Sequence, residues 1–356
     1  MPPSTTYDTA TVLNPTSALT DFTLMVDLSR MSSAWWSAAE SIDATNGRAA
    51  KDDGTELACD WIDYTHGSPV GSGWLRVKWS GTLATSGTQV LRIYPPVTGN
   101  GTVAAGDALG SNNAYASDCT VHAPLNGNLT DRSGNGRDGV VSGSPGTIDP
   151  ATNEIAEGPF GSAIDFNGEG TVEFPREAIA NLQVEYTAAF WYNPDPVSGF
   201  RAVFCTEGDA NNGHLYGRQD TTNRLLVRGP NGINSLHAQA TGWQLVAFSS
   251  DGVTDTTYLN GSLETGVSGG GPGNANVQTF MLGGNNSGQS SQMYYAGVQT
   301  YNGDRSAAWH EQEYDQTDSQ ASFFGTWANV PLPSEGGESV ACGRDICRHR
   351  EVSRIR

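Results

Sequence analysis

Six histidines, His66, His122, His214, His237, His310 and His349, are scattered along the chain, and no nucleophile motif stands beside any of them. There is no Gly-x-Ser-x-Gly elbow, and the glycine run at 269–273 is not followed by the Lys-Ser/Thr of a phosphate loop. That run reads as a link between strands. Glycoside cleavage needs two carboxylates facing each other across a groove. Glu169 and Glu173 stand four apart in EGTVEF, on one face of an extended strand, where two acids read as a solvated face rather than as a pair set across a groove. Glu56, Asp60 and Asp63 in ELACDWID fall out of phase with one another. No catalytic residue is assigned, and the chain is not expected to be an enzyme. Residues suited to binding are more plentiful. The loop EGDANNGH at 207–214 offers the oxygens of Glu207, Asp209, Asn211 and Asn212 together with His214, in a pattern that also makes ordinary turns. Aromatic faces stack on sugar rings, and Trp191, Tyr192, Trp243, Tyr258, Tyr294 and Tyr295 are available for that role. The expected ligand-binding set is therefore Asp209, Asn211, Asn212, His214, Trp191 and Tyr294, rimmed by the polar loops 209–214, 231–235 and 284–292.

These residues must be held by strands. Runs of alternating apolar and polar residues occur at 22–28, 74–79, 89–95, 188–193, 201–207, 224–229, 243–250, 256–261 and 293–301, each bounded by Gly, Asn, Asp or Pro. This spacing predicts an all-β chain of sandwich or jelly-roll type, with one face of each strand packed inward and the other meeting water. Helical signal is scarce. SSAWWSAAESI can place Trp35, Trp36 and Ala39 on a sheet, and Asp304 or Ser306 can cap a short helix carrying Ala307, Ala308, Trp309 and Glu311. The small, polar stretch 97–118 separates two blocks of strands, and the composition changes again at 328–339. The expected division is a β-rich block at 1–116, a jelly roll at 117–330 and a C-terminal arm at 331–356. The arm ends in ACGRDICRHREVSRIR, with five Arg against two acids, on a chain whose net charge is −19.

That negative charge makes the bulk of the chain a poor partner for nucleic acid or anionic lipid, both of which reward Lys and Arg. No apolar run approaches the ~20 residues of a membrane-spanning helix, so membrane insertion is not expected. MPPSTTYDTATVLNP lacks the basic start and apolar stretch of a secretory signal, so either a signal was removed before this numbering begins or the protein leaves its cell by lysis or assembly into a virus particle, the option that the initiator Met1 favours. The odd set Cys59, Cys119, Cys205, Cys342 and Cys347 reads as buried free thiols, with Cys342 and Cys347 close enough in sequence to pair in an oxidising medium. No cysteine spacing suits a metal.

One segment is more specific. HAPLNGNLTDRSGNGRDGVV, then GSAIDFNGEGTVEF, YTAAFWYNPD, RLLVRG, WQLVAFSSDGVTDTTYLNGSLE and YAGVQTYNGDRSAAWHEQEYDQ follow in order. Together, over about residues 119–325, they resemble the laminin-G-like, concanavalin A-like jelly roll: Asp-x-Ser-Gly-Asn-Gly turn, Phe-Asn-Gly turn, central strand, Tyr-Leu-Asn-Gly hairpin, and closing strand with short helix. The resemblance implies a β-sandwich lectin-like domain for which calcium is a common ligand; no cofactor or metal site is expected here, with calcium at Glu207, Asp209, Asn211 and Asn212 as the possible exception. The closing strand has Ala296 and Gly297 where related jelly rolls often carry an Asp ligand. Polysaccharide-cleaving members carry Glu, Asp and Glu at alternating strand positions, a pattern that no strand here has. The first block, with DFTLMVDL, WWSAAESIDATNGRAAKDDGTEL, Trp74–Trp79 and LRIYPPVTGN, resembles a small β-rich domain of unknown function that precedes such jelly rolls in bacterial surface and phage proteins. Pro95 and Pro96 replace part of its usual Tyr-Tyr-Gly-Asn ending.

The leading expectation is a non-enzymatic structural or display protein on a bacteriophage virion surface: a head decoration, fibre or tail-associated component. Its partners would be other virion proteins or further copies of itself, with host-surface glycans as a possible ligand. The alternative is a secreted or cell-surface carbohydrate-binding adhesion protein. Turnover of a polysaccharide dependent on Glu169 or Glu173 would instead make it an enzyme.

Overall fold

The computed structural model describes residues 6–13, 17–85, 87–142, 148–168, 170–175, 178, 185–194, 201–206, 216–219, 224–229, 232–238, 242–252, 254–264, 267–268, 279–284 and 293–332. Strands dominate, as expected. Two large antiparallel sheets make the sandwich. One centres on Met293–Tyr301, flanked on one side by Tyr186–Pro194, which leads to Gln244–Ser250 and Thr254–Leu259. On its other side the central strand is shared: Ala163–Asp165 pairs with Tyr294 and Tyr295, and Cys119–Ala123 pairs with the stretch from Val298 to Tyr301. Gly297 makes the change of partner, at φ +56 with its N–H donated to the Pro124 carbonyl, and a Cβ there would meet the Phe160 ring at 2.2 Å. The facing sheet runs in the order Val140–Ser142, Thr171–Pro175, Thr279–Leu282, Arg201–Thr206, Tyr216–Gln219, Arg224–Gly229, Gly232–Ala238. Between the sheets lie Phe166, Phe174, Phe190, Tyr192, Phe204, Phe248, Phe280 and Tyr295, all buried.

The turn residues do the work that their types allow. Asp131 in the DRSGNG turn accepts from the backbone N–H groups of His122 (3.0 Å), Ser133 (2.9 Å) and Arg137 (3.0 Å), so one carboxylate ties the turn to the strand before it. In TTYLNG, Asn260 and Gly261 both have positive φ, at 51° and 75°, as a two-residue hairpin turn requires.

The N-terminal block has a five-stranded sheet in the order Ala328–Pro331, Thr6–Val12, Gln89–Tyr94, Arg48–Lys51, Glu56–Leu57, and a three-stranded sheet in the order Thr23–Asp27, Ser72–Lys78, Cys59–Thr65. The helix Ser33–Ala38 is capped by the Ser32 hydroxyl, and its Trp35 and Trp36 are fully buried. Strand Ala328–Pro331 belongs to this sheet, pairing Thr6 with Pro331 and Thr9 with Ala328. The chain therefore returns to its first block after the sandwich, and the expected division at 330 and 331 falls inside a strand. Trp309, Phe323 and Phe324 share a core with Phe22, Trp35 and Trp79 for the same reason.

The helix Ala307–Asp318, capped by Ser306, joins the two blocks. Thr23–Asp27 is an edge strand, and an unpaired edge leaves backbone groups without partners. Two glutamines of the helical region supply them. Gln316 takes the Met25 N–H at 2.7 Å and donates to the Thr23 carbonyl at 3.1 Å; Gln320 takes the Asp27 N–H at 3.2 Å and donates to the Met25 carbonyl at 2.8 Å. Side-chain amides thus complete the edge as another strand would. Replacing Gln316 by Leu orphans two buried backbone groups and is expected to cost about 1–3 kcal/mol, read as a lowered urea midpoint with an unchanged slope. An unchanged midpoint would mean that water serves these groups equally well.

Cys59, Cys119 and Cys205 are buried and take part in no disulfide. Desolvation pushes the Cys59 thiol up to about 12 and raises Cys119 further still. Cys342 and Cys347 lie outside the described residues. No helix among the described residues is long and apolar enough to cross a membrane.

Candidate functional site

A groove of about 760 Å³ with mixed apolar and polar lining lies between the three-stranded sheet and the sandwich. Its floor follows from strand register. Trp74 on Ser72–Lys78 sits directly opposite Asp27 on one neighbour, so the two side chains share a face, and opposite Ile62 on the other neighbour. The pairing slips between Ile62 and Thr65, and in that bulge Asp63 adopts φ +52. A bulge re-aims a side chain, and the Asp63 carboxylate reaches across the seam to accept from Asn126 Nδ2 at 2.6 Å. The opposite wall is the segment 154–162, with Glu154 on the two-residue strand Glu154–Ile155 and Phe160 beneath. Phe160 is 4% exposed and packs at right angles to Trp74, with centroids 6.0 Å apart, while Trp74 itself is only partly buried. The lining described here contains Asp27, Asp63 and Glu154 but no Lys, Arg or His.

Beneath the groove the seam is locked by charge. Glu313 accepts from Arg76 Nη1 (3.1 Å), Gln299 Nε2 (2.6 Å) and Gln316 Nε2 (2.7 Å), and both members of the ion pair are 1% exposed. The Arg76 guanidinium also lies over the Phe160 ring, 5.7 Å from its centroid. A second pair, buried only on its acidic side, closes the seam further on: Asp60 accepts from Arg132 Nε at 2.6 Å and Nη2, and from the Tyr115 hydroxyl at 2.5 Å, while the Arg132 side chain stays one-third exposed. Burial, with the Asp60 charge beside it, raises Tyr115 well above the usual phenol range.

The expected ligand residues are not gathered here. Asp209, Asn211, Asn212 and His214, with Glu207, lie outside the described residues. Trp191, expected as a stacking platform, is 2% exposed; Tyr314 stacks on it at 5.7 Å and Phe160 meets it edge-on at 6.4 Å. A sugar cannot reach it, because helix Ala307–Asp318 covers the face that alternation alone would have left to water. Tyr192, Tyr258 and Tyr295 are likewise buried, while Tyr294 is partly exposed between its strand partners Asp165 and Asn193. Glu169 lies outside the described residues, and Glu173 accepts from the Ser142 hydroxyl. Among the described residues no group of three or more His, Cys, Asp or Glu is arranged to hold a metal ion. Sequence reading missed the groove because Trp74 and Phe160 come from segments with no shared pattern; the misphased Asp63 beside a strand was the one local sign of a bulge.

Residues 166–309 match the profile of the concanavalin A-like lectin/glucanases superfamily. No curated protein sequence matches the chain. Among solved structures, domain 4 of a GH43 extracellular arabinanase from Geobacillus stearothermophilus, in complex with arabinotriose, is 21% identical with a TM-score of 0.45, covering 56% of this chain and 98% of that one. The binding domain of Paraclostridial Mosquitocidal Protein 1 is 13% identical with a TM-score of 0.45, covering 56% of this chain and 52% of that one. A Trypanosoma rangeli sialidase is 15% identical with a TM-score of 0.42, covering 64% of this chain and 35% of that one.

Proposed function

We propose that this chain, whose residues 166–309 form a concanavalin A-like jelly-roll domain, is a non-enzymatic display protein that binds glycans, carried on the surface of a bacteriophage particle as a decoration, fibre or tail component. The observation that carries the binding reading is the groove at the seam, where a partly exposed tryptophan and hydrogen-bonding carboxylates face a ligand-sized space. Such a combination orients sugars, whose rings present apolar faces and whose hydroxyls present donors. The display reading is supported by the way the two blocks are joined. A body sewn together by the returning strand Ala328–Pro331 and the Arg76–Glu313 pair holds its binding face at a fixed angle to whatever anchors it. The resemblance of the first block to domains of bacterial surface and phage proteins points the same way, and the strongly acidic chain suits contact with water rather than with a polyanion. Fold alone decides none of this, since jelly rolls host binding, structural and catalytic roles.

The test pairs a glycan array probed with the full chain and light scattering of the same chain with and without calcium. Binding to glycans together with a defined oligomer, or incorporation into particles, is the expected result. A strict monomer that joins no larger assembly yet binds glycans would move the protein to the secreted or cell-surface lectin reading. Hydrolysis of a bound polysaccharide would overturn the non-enzymatic one.

A further inference from the structure

We propose that the seam groove selects oligosaccharides bearing free amino groups, of glucosamine type, over neutral and acidic ones. The inference rests on the reading of the chain as a glycan-binding protein and names the ligand class. The groove brings together Asp27, Asp63 and Glu154 from three separate segments, and no basic side chain among the described residues lines it. A carboxylate only accepts hydrogen bonds, so every polar side chain at these three positions asks the ligand for a donor. Asp27 already accepts from the Ser29 N–H and Asp63 from Asn126, whereas the exposed Glu154 carboxylate has no partner within the described residues. The buried Arg76 does not offset this charge. Arg76 lies behind Phe160 and its guanidinium is matched by Glu313.

Three negative charges around a space of about 760 Å³ favour a cationic occupant, and the chain's net charge of −19 adds to the field at longer range. A uronic acid or sialic acid would bring a further carboxylate to a groove with nothing to balance it. A neutral sugar satisfies acceptors but leaves the charge uncompensated. An ammonium group on a pyranose does both, and Trp74 at the groove floor supplies a ring that receives either the sugar face or the cation. The walls are set by the seam, since Asp27, Asp63 and Trp74 belong to the first block and Glu154 and Phe160 to the sandwich. The site therefore exists only in the assembled two-block chain.

The experiment titrates the full chain with glucosamine tetramer, its fully N-acetylated counterpart, tetragalacturonate and tetralysine, by calorimetry at low and high salt, beside the glycan array. Glucosamine tetramer is expected to bind at least about tenfold more tightly than the acetylated form, a difference of about 1.4 kcal/mol, with no binding of tetragalacturonate. High salt should narrow that gap. Glu154→Gln, at an exposed position, is expected to weaken the glucosamine tetramer about fivefold and the acetylated form by clearly less, narrowing the gap between them; Trp74→Leu should weaken both alike. Equal affinities for the two tetramers, or a Glu154→Gln variant that binds as the parent does, would overturn the inference while positive array spots left the glycan-binding reading standing. Tetralysine binding as tightly as the glucosamine tetramer would show a general cation site and remove the sugar from the proposal. A blank array with flat titrations throughout would take away the glycan-binding reading itself.

Discussion

Replacing Glu313 by Ala is expected to destabilise the chain by about 3–5 kcal/mol. The loss exceeds that of an ordinary buried contact because Glu313 is the acceptor for three donors: Arg76, Gln299 and Gln316. Arg76 is 1% exposed, and its Nε and Nη2 already lack partners among the described groups, so without Glu313 a full positive charge remains in a dry seam. The pair Arg76→Met with Glu313→Leu removes both charges and keeps the volume, and is expected to recover most of the stability, since a buried ion pair is often no better than well-packed apolar groups. Thermal melts of the parent, the two single variants and the double variant complete the cycle. A coupling energy near zero would mean that water reaches the pair and the seam is not dry. Because the groove takes walls from both blocks, Glu313→Ala should also weaken ligand binding more than its distance from the groove suggests.

Acid should unfold the protein by way of its buried imidazoles. His310 is fully buried, stacked on Tyr258 at 4.0 Å, with Nε2 3.1 Å from the Ser249 hydroxyl. Desolvation, aided by the nearby Arg305 charge, holds it down at about 3 against an ordinary 6.5. Between those two values the unfolded chain carries a proton that the folded chain refuses. Stability is therefore complete above pH 6.5 and falls as pH drops toward 3, by about 1.4 kcal/mol per unit for this one group. His122, also buried, is lowered in the same direction by desolvation and by Arg76 and Arg132. The His310→Gln variant keeps a hydrogen-bonding group for Ser249 and should lose roughly one proton's worth of slope in a plot of unfolding free energy against pH. An unaltered slope would show that the acid sensitivity belongs to carboxylates instead.

What could be read from the chain alone was set by locality. Strands announced themselves by alternation, and turns by Asn-Gly and Asp-x-Ser-Gly-Asn-Gly, because those residues permit backbone conformations that others resist. The same alternation misled at Trp191. In Tyr186–Pro194, Ala188, Phe190 and Tyr192 enter the sandwich core as a period of two requires, but Ala189 and Trp191 are buried too, under a second layer formed with Phe160 and Tyr314. A helix over 100 residues later supplies that layer, and nothing in the strand's own sequence records it. The groove escaped for a related reason. Asp27, Asp63, Trp74 and Glu154 are each unremarkable where they stand, and only the docking of two blocks turns them into a site. The division near 330 failed because a four-residue strand, Ala328–Pro331, carries too little pattern to reveal that its partner is Thr6–Val12 at the other end of the chain.

That returning strand also decides how the molecule carries load. Thr6 and Pro331 are paired, so the chain enters and leaves this antiparallel ribbon side by side at one end. A pull applied between them opens the ribbon one rung at a time, beginning at that pair, rather than shearing all its hydrogen bonds at once. Until it parts, the sandwich sits in a closed loop outside the line of tension. A load applied at the groove, by contrast, enters through walls drawn from both blocks and meets the Arg76–Glu313 seam at once. The fold thus has a soft direction along its ends and a stiff one across its blocks.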